Sequence, residues 1–303
     1  MRCEASRQAP PRSSRAGAAC GLALLVALGY TPAARAHDMW IAPSTFRPAA
    51  GEVVRLYLQL GEAGGEVQAV ERDSRRIERF DMVGPGGRSD VPGLDGQVVG
   101  GWIRPPAAGR HAVAYVTRPA FSELPAAAFE SYLAEEGLEA IIEERRELRE
   151  SGHSARERYS RSLKTLIDAG DATEPDRPVG LPLELILEGP TEQGTERSDL
   201  GAAWRVRLIL HDEPLEHALV RARRLDHEAL VVLRRTDAEG RATLDLGPGR
   251  WVVSSVYMER SEEPGAEWRS LWTSLAFEIP EQGGGPVTGR AARRVPAQVS
   301  RKP

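Results

Sequence analysis

Hydrophobic and polar positions alternate singly over residues 53–60. Val54, Leu56, Leu58 and Leu60 fall on one side, and Arg55, Tyr57 and Gln59 on the other. A period of two is that of a strand with one buried face. Shorter stretches of strand character follow at 66–71, 77–83, 97–104 and 110–116, separated by breaks such as Gly84-Pro85-Gly86-Gly87 and Pro105-Pro106. Short strands punctuated by glycine and proline predict an antiparallel sandwich over residues 37–118. Trp40, Ile41 and Phe46 are expected to tuck the start of this block against its sheet.

The period changes over residues 119–170, which read as a helical segment. Pro125, tolerated in a first turn, opens a helix carrying Phe129, Tyr132 and Leu133, and Gly137 separates it from a second over 138–149. Ser154 and Glu157 have capping-box spacing. They predict a third helix with Tyr159, Leu163, Leu166 and Ile167 as one apolar stripe at i, i+4, i+7 and i+8. Arg158, Arg161 and Lys164 point away from that stripe, as an anion-holding face or a solvated, ion-paired one. The acid-rich run 143–150 reads as a solvated helix face before a metal cage. Residues 171–180 form a Pro/Asp-rich linker.

Period two returns over 181–280. Trp204, Val206, Leu208 and Leu210 alternate with Arg205, Arg207, Ile209 and His211. Further strands are expected at 183–187, 218–224, 229–234, 242–246, 251–259 and 269–279. In the last, Leu271, Thr273, Leu275, Phe277 and Ile279 share one face and Trp272, Ser274 and Ala276 the other. Seven strands at this spacing suit an Ig-like or prealbumin-like sandwich. The fold class is therefore mainly β: two antiparallel β-sandwich domains with a helical segment between them. Residues 281–303, with no aromatic residue, read as a disordered tail.

Ahead of all this, residues 16–30 are apolar, follow Arg2, Arg7, Arg12 and Arg15, and precede Ala34-Arg35-Ala36. That order is a secretory signal peptide over 1–36, too short in its apolar run to span a bilayer. The mature chain then begins at His37, is periplasmic or secreted, and carries no transmembrane segment. Cleavage removes five arginines and one glutamate, taking the net charge from −4 to −8. An acidic chain offers no electrostatic basis for nucleic-acid binding. Cys3 and Cys20 both lie in the leader, so the mature chain holds no disulfide, thiol nucleophile or thiolate ligand.

No nucleophile elbow, phosphate loop, H-E-x-x-H or dinucleotide fingerprint occurs, so no catalytic constellation is visible and a non-enzyme is expected. The histidines are His37, His111, His153, His211, His217 and His227, none at local metal-site spacing, so any ligand set must be assembled by the fold. A first-residue His37 is either a ready amine–imidazole chelate or an ordinary polar terminus. His111 shares its strand face with Val113 and Tyr115, as a core residue or as a second metal ligand beside His37. His211 and His217 bracket Asp212, Glu213 and Glu216 around Pro214, as an ion site or an exposed polar hairpin.

Several stretches together resemble a bacterial family of exported proteins of unknown function, long described as periplasmic components of cobalt/nickel transport systems. They are His37-Asp-Met-Trp-Ile-Ala-Pro-Ser44, Phe46-Arg-Pro48 with Gly51-Glu52, and Pro119-Ala-Phe-Ser-Glu-Leu-Pro125. Phe129-Glu-Ser-Tyr-Leu-Ala-Glu-Glu-Gly-Leu138, Arg156-Glu-Arg-Tyr-Ser-Arg161 with Lys164, and Gly180-Leu-Pro-Leu-Glu184 follow. Thr236-Asp-Ala-Glu-Gly240 and Pro248-Gly-Arg-Trp251 complete the set. The resemblance implies β-sandwich domains, transition-metal handling, and His37 as a ligand, although Met39 stands where the family has an aromatic residue.

Three function classes follow. The first is a periplasmic binding protein for nickel, cobalt or a related divalent ion such as copper, working with a membrane transport component. The second is a structural or protein-interaction module of the cell envelope. The third, set last by the lack of substrate-site motifs, is a copper enzyme with a histidine brace of His37 and His111.

Overall fold

The computed structural model describes residues 38–61, 67–172, 174–191, 202–225 and 230–281. The expected leader, its cleavage site, His37, His227 and the tail beyond 281 lie outside the described residues.

The first part comprises β1 (Asp38–Pro43), β2 (Val54–Gly61), β3 (Gln68–Val70), β4 (Ile77–Gly84), β5 (Gly87–Asp90), β6 (Val99–Ile103) and β7 (Gly109–Thr117). β8 (Ala120–Leu124), α1 (Ala126–Glu135), α2 (Glu139–Glu147) and β9 (Ala155–Ala169) come next. Then follow β10 (Leu183–Pro190), β11 (Ala202–Leu210), β12 (Glu213–Pro214), β13 (Leu219–Arg224) and β14 (Val231–Arg235). β15 (Arg241–Leu246), β16 (Gly249–Arg260) and β17 (Trp268–Ile279) end the series.

Among the described residues these strands form three sheets, and the protein is mainly β. A nine-stranded central sheet runs β14-β13-β16-β17-β9-β7-β4-β5, with β8 beside the first half of β9. In one four-stranded sheet β2 pairs with β1, β3 and β6; in the other β11 pairs with β10, β12 and β15. The alternation of side chains decides what each face of the central sheet receives. Val113, Tyr115, Leu163 and Ile167 share a core with Ile41, Val54, Leu56 and Leu58 of the β1–β2 sheet. Ala112, Ala114, Leu166, Val253, Leu275 and Phe277 point the other way, into a core with Leu183, Leu185, Val206 and Leu208 of the β10–β11 sheet. The helices cover the first face further along, where Phe129, Tyr132, Leu133 and Ile141 pack on Val256, Met258, Trp268 and Trp272.

Two expectations fail here. The third helix does not form: residues 155–169 are β9, the strand on which the two halves meet. Its residues from Ser162 to Ala169 are all buried, because both faces of the strand are covered. Such a strand shows no period-two alternation, and its apolar residues fall at helical spacing by coincidence. Tyr159, Leu163 and Ile167 lie on one face and Leu166 on the other, so the single stripe is split. The helical segment over 119–170 therefore reduces to α1 and α2. The second failure is the separation of the two sandwiches by helices. β17 pairs with β9 in parallel, Trp268 to Glu157 through Ala276 to Thr165, so one sheet is common to both halves.

Nor is the 171–180 segment a loose linker where it is described. Lys164, only 1% exposed, holds Glu184 at 2.8 Å and Asp176 at 3.0 Å. Glu184 also accepts the backbone N–H groups of Val179, Gly180 and Leu181, and Asp176 accepts that of Leu187. Every charge of this buried triad is paired and hydrogen-bonded, the condition under which burial is tolerable.

Candidate functional site

Polar and charged side chains collect on the face of the central sheet covered by β1 and α1. On α1, Phe129, Tyr132 and Leu133 are buried at i, i+3 and i+4, and Glu136 follows Tyr132 by one turn on the same side. The helix ends in a Schellman arrangement: Leu138 N–H bonds to Leu133 O at 2.8 Å and Gly137 N–H to Ala134 O at 3.2 Å. Gly137 has φ 67°, and a Cβ there would stand 2.9 Å from Leu219 Cβ, so glycine lets the chain turn while Glu136 faces inward.

β1 brings Asp38 to the same place. Its residues from Asp38 to Ile41 are all buried: Met39 and Ile41 enter the first core, while Trp40 packs with Phe46, Val252 and Ala276. The Ser274 hydroxyl donates to Met39 O at 2.7 Å and ties β1 to β17. Arg221 on β13 reaches both acids, at 3.3 Å from Glu136 and 3.9 Å from Asp38. Glu136 is 5% exposed. Burial pushes its carboxyl up to about 7, with Arg221 opposing and Asp38 adding to the rise. The burial cost of the Glu136 carboxyl thus outweighs what the Arg221 guanidinium returns.

Glu157 and Arg161 of β9 line the other side. Glu157 accepts the Tyr132 hydroxyl at 2.9 Å and a short hydrogen bond from Ser270 Oγ, which in turn accepts Trp272 Nε1 at 3.1 Å. Burial raises the Glu157 pKa, against those two hydrogen bonds. Burial, with Glu157 beside it, pushes the Tyr132 hydroxyl well above its ordinary value. Tyr132 stacks on Trp272 at 5.5 Å between centroids. The Arg161 guanidinium lies 4.8 Å from the Trp272 ring and 5.7 Å from that of Tyr159. Burial lowers its pKa against the opposing fields of Tyr159 and Asp38. Arg161 and Lys164 are therefore not on a solvated helix face; Lys164 points to the opposite side of the sheet, into the Glu184 triad.

His111 is not brought here. It is the register partner of Ile167, six residues along β9 from Arg161, or about 20 Å at strand rise. The ring is fully buried, with Nε2 3.0 Å from Ala107 O, and Nδ1 is packed on Gly84. That packing makes His111 a core residue. His211 and His217 sit in a turn with positive φ at His211, Asp212 and His217, where exposed His217 lies 3.7 Å from Glu216. Of the acid-rich run, Glu144 and Glu150 hold Arg260 at 2.6 and 2.7 Å. Among the described residues no three His, Cys, Asp or Glu side chains lie close enough to hold a metal ion.

Reading the sequence for single residues misses Asp38, Tyr132, Glu136, Glu157 and Arg221. A signal was nevertheless present. Three of the stretches that carry the family resemblance, 37–44, 129–138 and 156–161, supply Asp38, Tyr132, Glu136, Glu157 and Arg161. Others are scaffold: Gly180–Glu184 closes on Lys164, and the Trp251 indole donates to Gly247 O at 2.9 Å.

Residues 34–259 match the domain of unknown function DUF4198, and the chain belongs to that family. No curated protein matches the chain. Among solved structures, the D0-D1 domain of Intimin is similar over 80% of this chain and 98% of that chain, at 12% identity and a TM-score of 0.20. So loose a superposition carries no argument about this protein. Among the described residues no helix is long and apolar enough to cross a membrane.

Proposed function

We propose that this is an exported, non-enzymatic binding protein that takes a divalent transition metal at the start of its mature chain. His37 supplies an α-amine and an imidazole, and Asp38 or Glu136 a carboxylate oxygen. This nitrogen-rich donor set suits nickel, cobalt or copper, and uptake would then involve a membrane transport component. The observation that carries the reading is Glu136: a nearly buried carboxyl, raised to about 7, with Asp38 beside it and His37 bonded directly to Asp38. A cation added there relieves both the burial cost and the repulsion between the two acids. Since the described side chains do not complete a site, the reading depends on the donors of His37. His111, buried against Gly84 and Ala107, is not among the donors of this reading.

Two measurements test it. Intact-mass analysis of the exported protein should give a chain beginning at His37; a retained Met1 or a lipidated Cys20 terminus would overturn the processing step. Calorimetry with nickel, cobalt and copper should then show binding to the His37-initiated chain. Binding should weaken when Ala36 is retained, because the α-amine becomes an amide, and again in Glu136→Gln. Equal binding by the two forms, or none by either, ends the metal reading in favour of an envelope interaction module.

A further inference from the structure

The edge of β2 opposite β1 leads to a second feature, distant from the Asp38 cluster along the sheet and independent of the metal reading. β6 pairs with that edge, and a 510 Å³ groove opens between β2 and β6 on one sheet and β4 and β5 on the other. Met82 and Ile103 form part of its lining, and Trp102 is 39% exposed beside it. Arg55 and Trp102 are cross-strand partners, and Arg104 stands two residues beyond Trp102 on the same side. An exposed indole is thus flanked by two guanidiniums. Arg104 spends one donor on Gly51 O at 2.8 Å, and the Arg55 side chain has no ion pair or hydrogen bond among the described residues. Asp90 is the acid of the groove lining. β5, whose four residues are all exposed, ends the nine-stranded sheet, and no strand pairs with its outer edge among the described residues.

An open strand edge presents unpaired N–H and C=O groups at the spacing of an incoming strand. A groove beside it gives alternate side chains of such a strand an apolar lining, and its two arginines select for negative charge. The local positive charge is notable on a chain whose net charge is −4. We propose that this groove binds an extended acidic segment of a partner protein, laid as an added strand along β5, with its carboxylates at Arg55 and Arg104 and an apolar side chain against Trp102. Backbone pairing would provide affinity, and the arginines selection by charge.

The probe is a capped, fluorescein-labelled Asp-Val peptide, Asp-Thr-Val-Thr-Asp-Thr-Val-Thr, in which acid and apolar side chains alternate along one face of the strand, titrated by anisotropy against the full exported chain in EDTA. EDTA separates this result from any metal effect. Saturable binding is expected. It should fall at least about tenfold for a Lys-Val peptide and for the R55E/R104E variant, as expected when opposite charges are replaced by like ones. A peptide with proline at alternate positions should also lose binding, because proline cannot donate to a strand ladder. Trp102→Ala should weaken binding while leaving the charge preference intact. The peptide comparisons use the wild-type protein alone, so the proposal stays testable if a variant fails to fold. Absence of binding at millimolar Asp-Val peptide, equal binding of the acidic and basic peptides, or retained binding of the proline peptide overturns it. So does saturable binding of polygalacturonate without binding of the Asp-Val peptide, which would make the groove an anionic-glycan site.

Discussion

A methyl group added at Gly84 would overlap the His111 ring at Nδ1. The ring cannot retreat, because it is fully buried and its Nε2 lies 3.0 Å from Ala107 O. Gly84→Ala should therefore destabilise the fold by about 1–3 kcal/mol in chemical denaturation, the usual cost of overpacking a core. A cost near zero would show that the ring has space to move. Sequence pattern correctly places His111 on the buried face with Val113 and Tyr115. It cannot show that glycine backbone packs against the ring at Nδ1. Glu136 gives a pH prediction at the same scale. Its carboxyl keeps its proton to about 7 in the folded chain but only to 4.5 in the ordinary state. The folded state thus binds the extra proton between these values. The stabilisation is complete below 4.5 and is lost as pH rises through about 7, a change of about 3 kcal/mol. Urea unfolding of the wild type and Glu136→Gln in EDTA should show the difference between them shift in that direction from pH 4.5 to 7.5. Parallel pH profiles would place Glu136 in a wetter setting.

β9 is the element on which helix and strand readings diverge. Over 162–169 it is buried on both faces, so polarity does not alternate, and Leu163, Leu166 and Ile167 resemble one side of a helix. Ser154 and Glu157 add a false cap: the Glu157 carboxylate is held by Tyr132 and Ser270 from elements remote in sequence. In contrast, β2 and β11 each face one core, and their alternation assigns Leu56 and Val206 to the interior directly. Leu163, 1% exposed, contributes to the core beneath the β1–β2 sheet. Leu163→Ala should cost about 2–5 kcal/mol, measurable as a lower denaturation midpoint at unchanged slope. Because Leu166 serves the opposite core, Leu163→Ala and Leu166→Ala should be close to additive. A large coupling energy would show that the two cores share more than a strand.

At the scale of the molecule, the parallel β17–β9 pair makes one sheet of what would otherwise be two sandwiches. Unfolding followed by tryptophan fluorescence and by far-ultraviolet circular dichroism should therefore give coincident transitions. Two resolved steps would mean that the shared sheet does not couple the halves. The Lys164–Glu184–Asp176 triad lies where the β10–β11 sheet meets this strand. Lys164→Met leaves two buried carboxylates uncompensated and should cost about 3–5 kcal/mol. The sequence by itself determined β2, β3, β6, β10, β11 and β15 of the two outer sheets, the faces that β2 and β11 bury, and both α-helices, because a half-buried strand or helix writes its period into the order of its own residues. It also marked the stretches that form the Asp38–Glu136–Arg161 cluster, through the family they resemble. Tertiary structure alone decided that β9 is a strand, that the two halves share a sheet, and that His111 stays away from the Asp38–Glu136 cluster. Each depends on residues far apart in sequence: a strand covered on both sides has no period of its own, and the partner of a buried charge is supplied by whichever element the fold brings beside it.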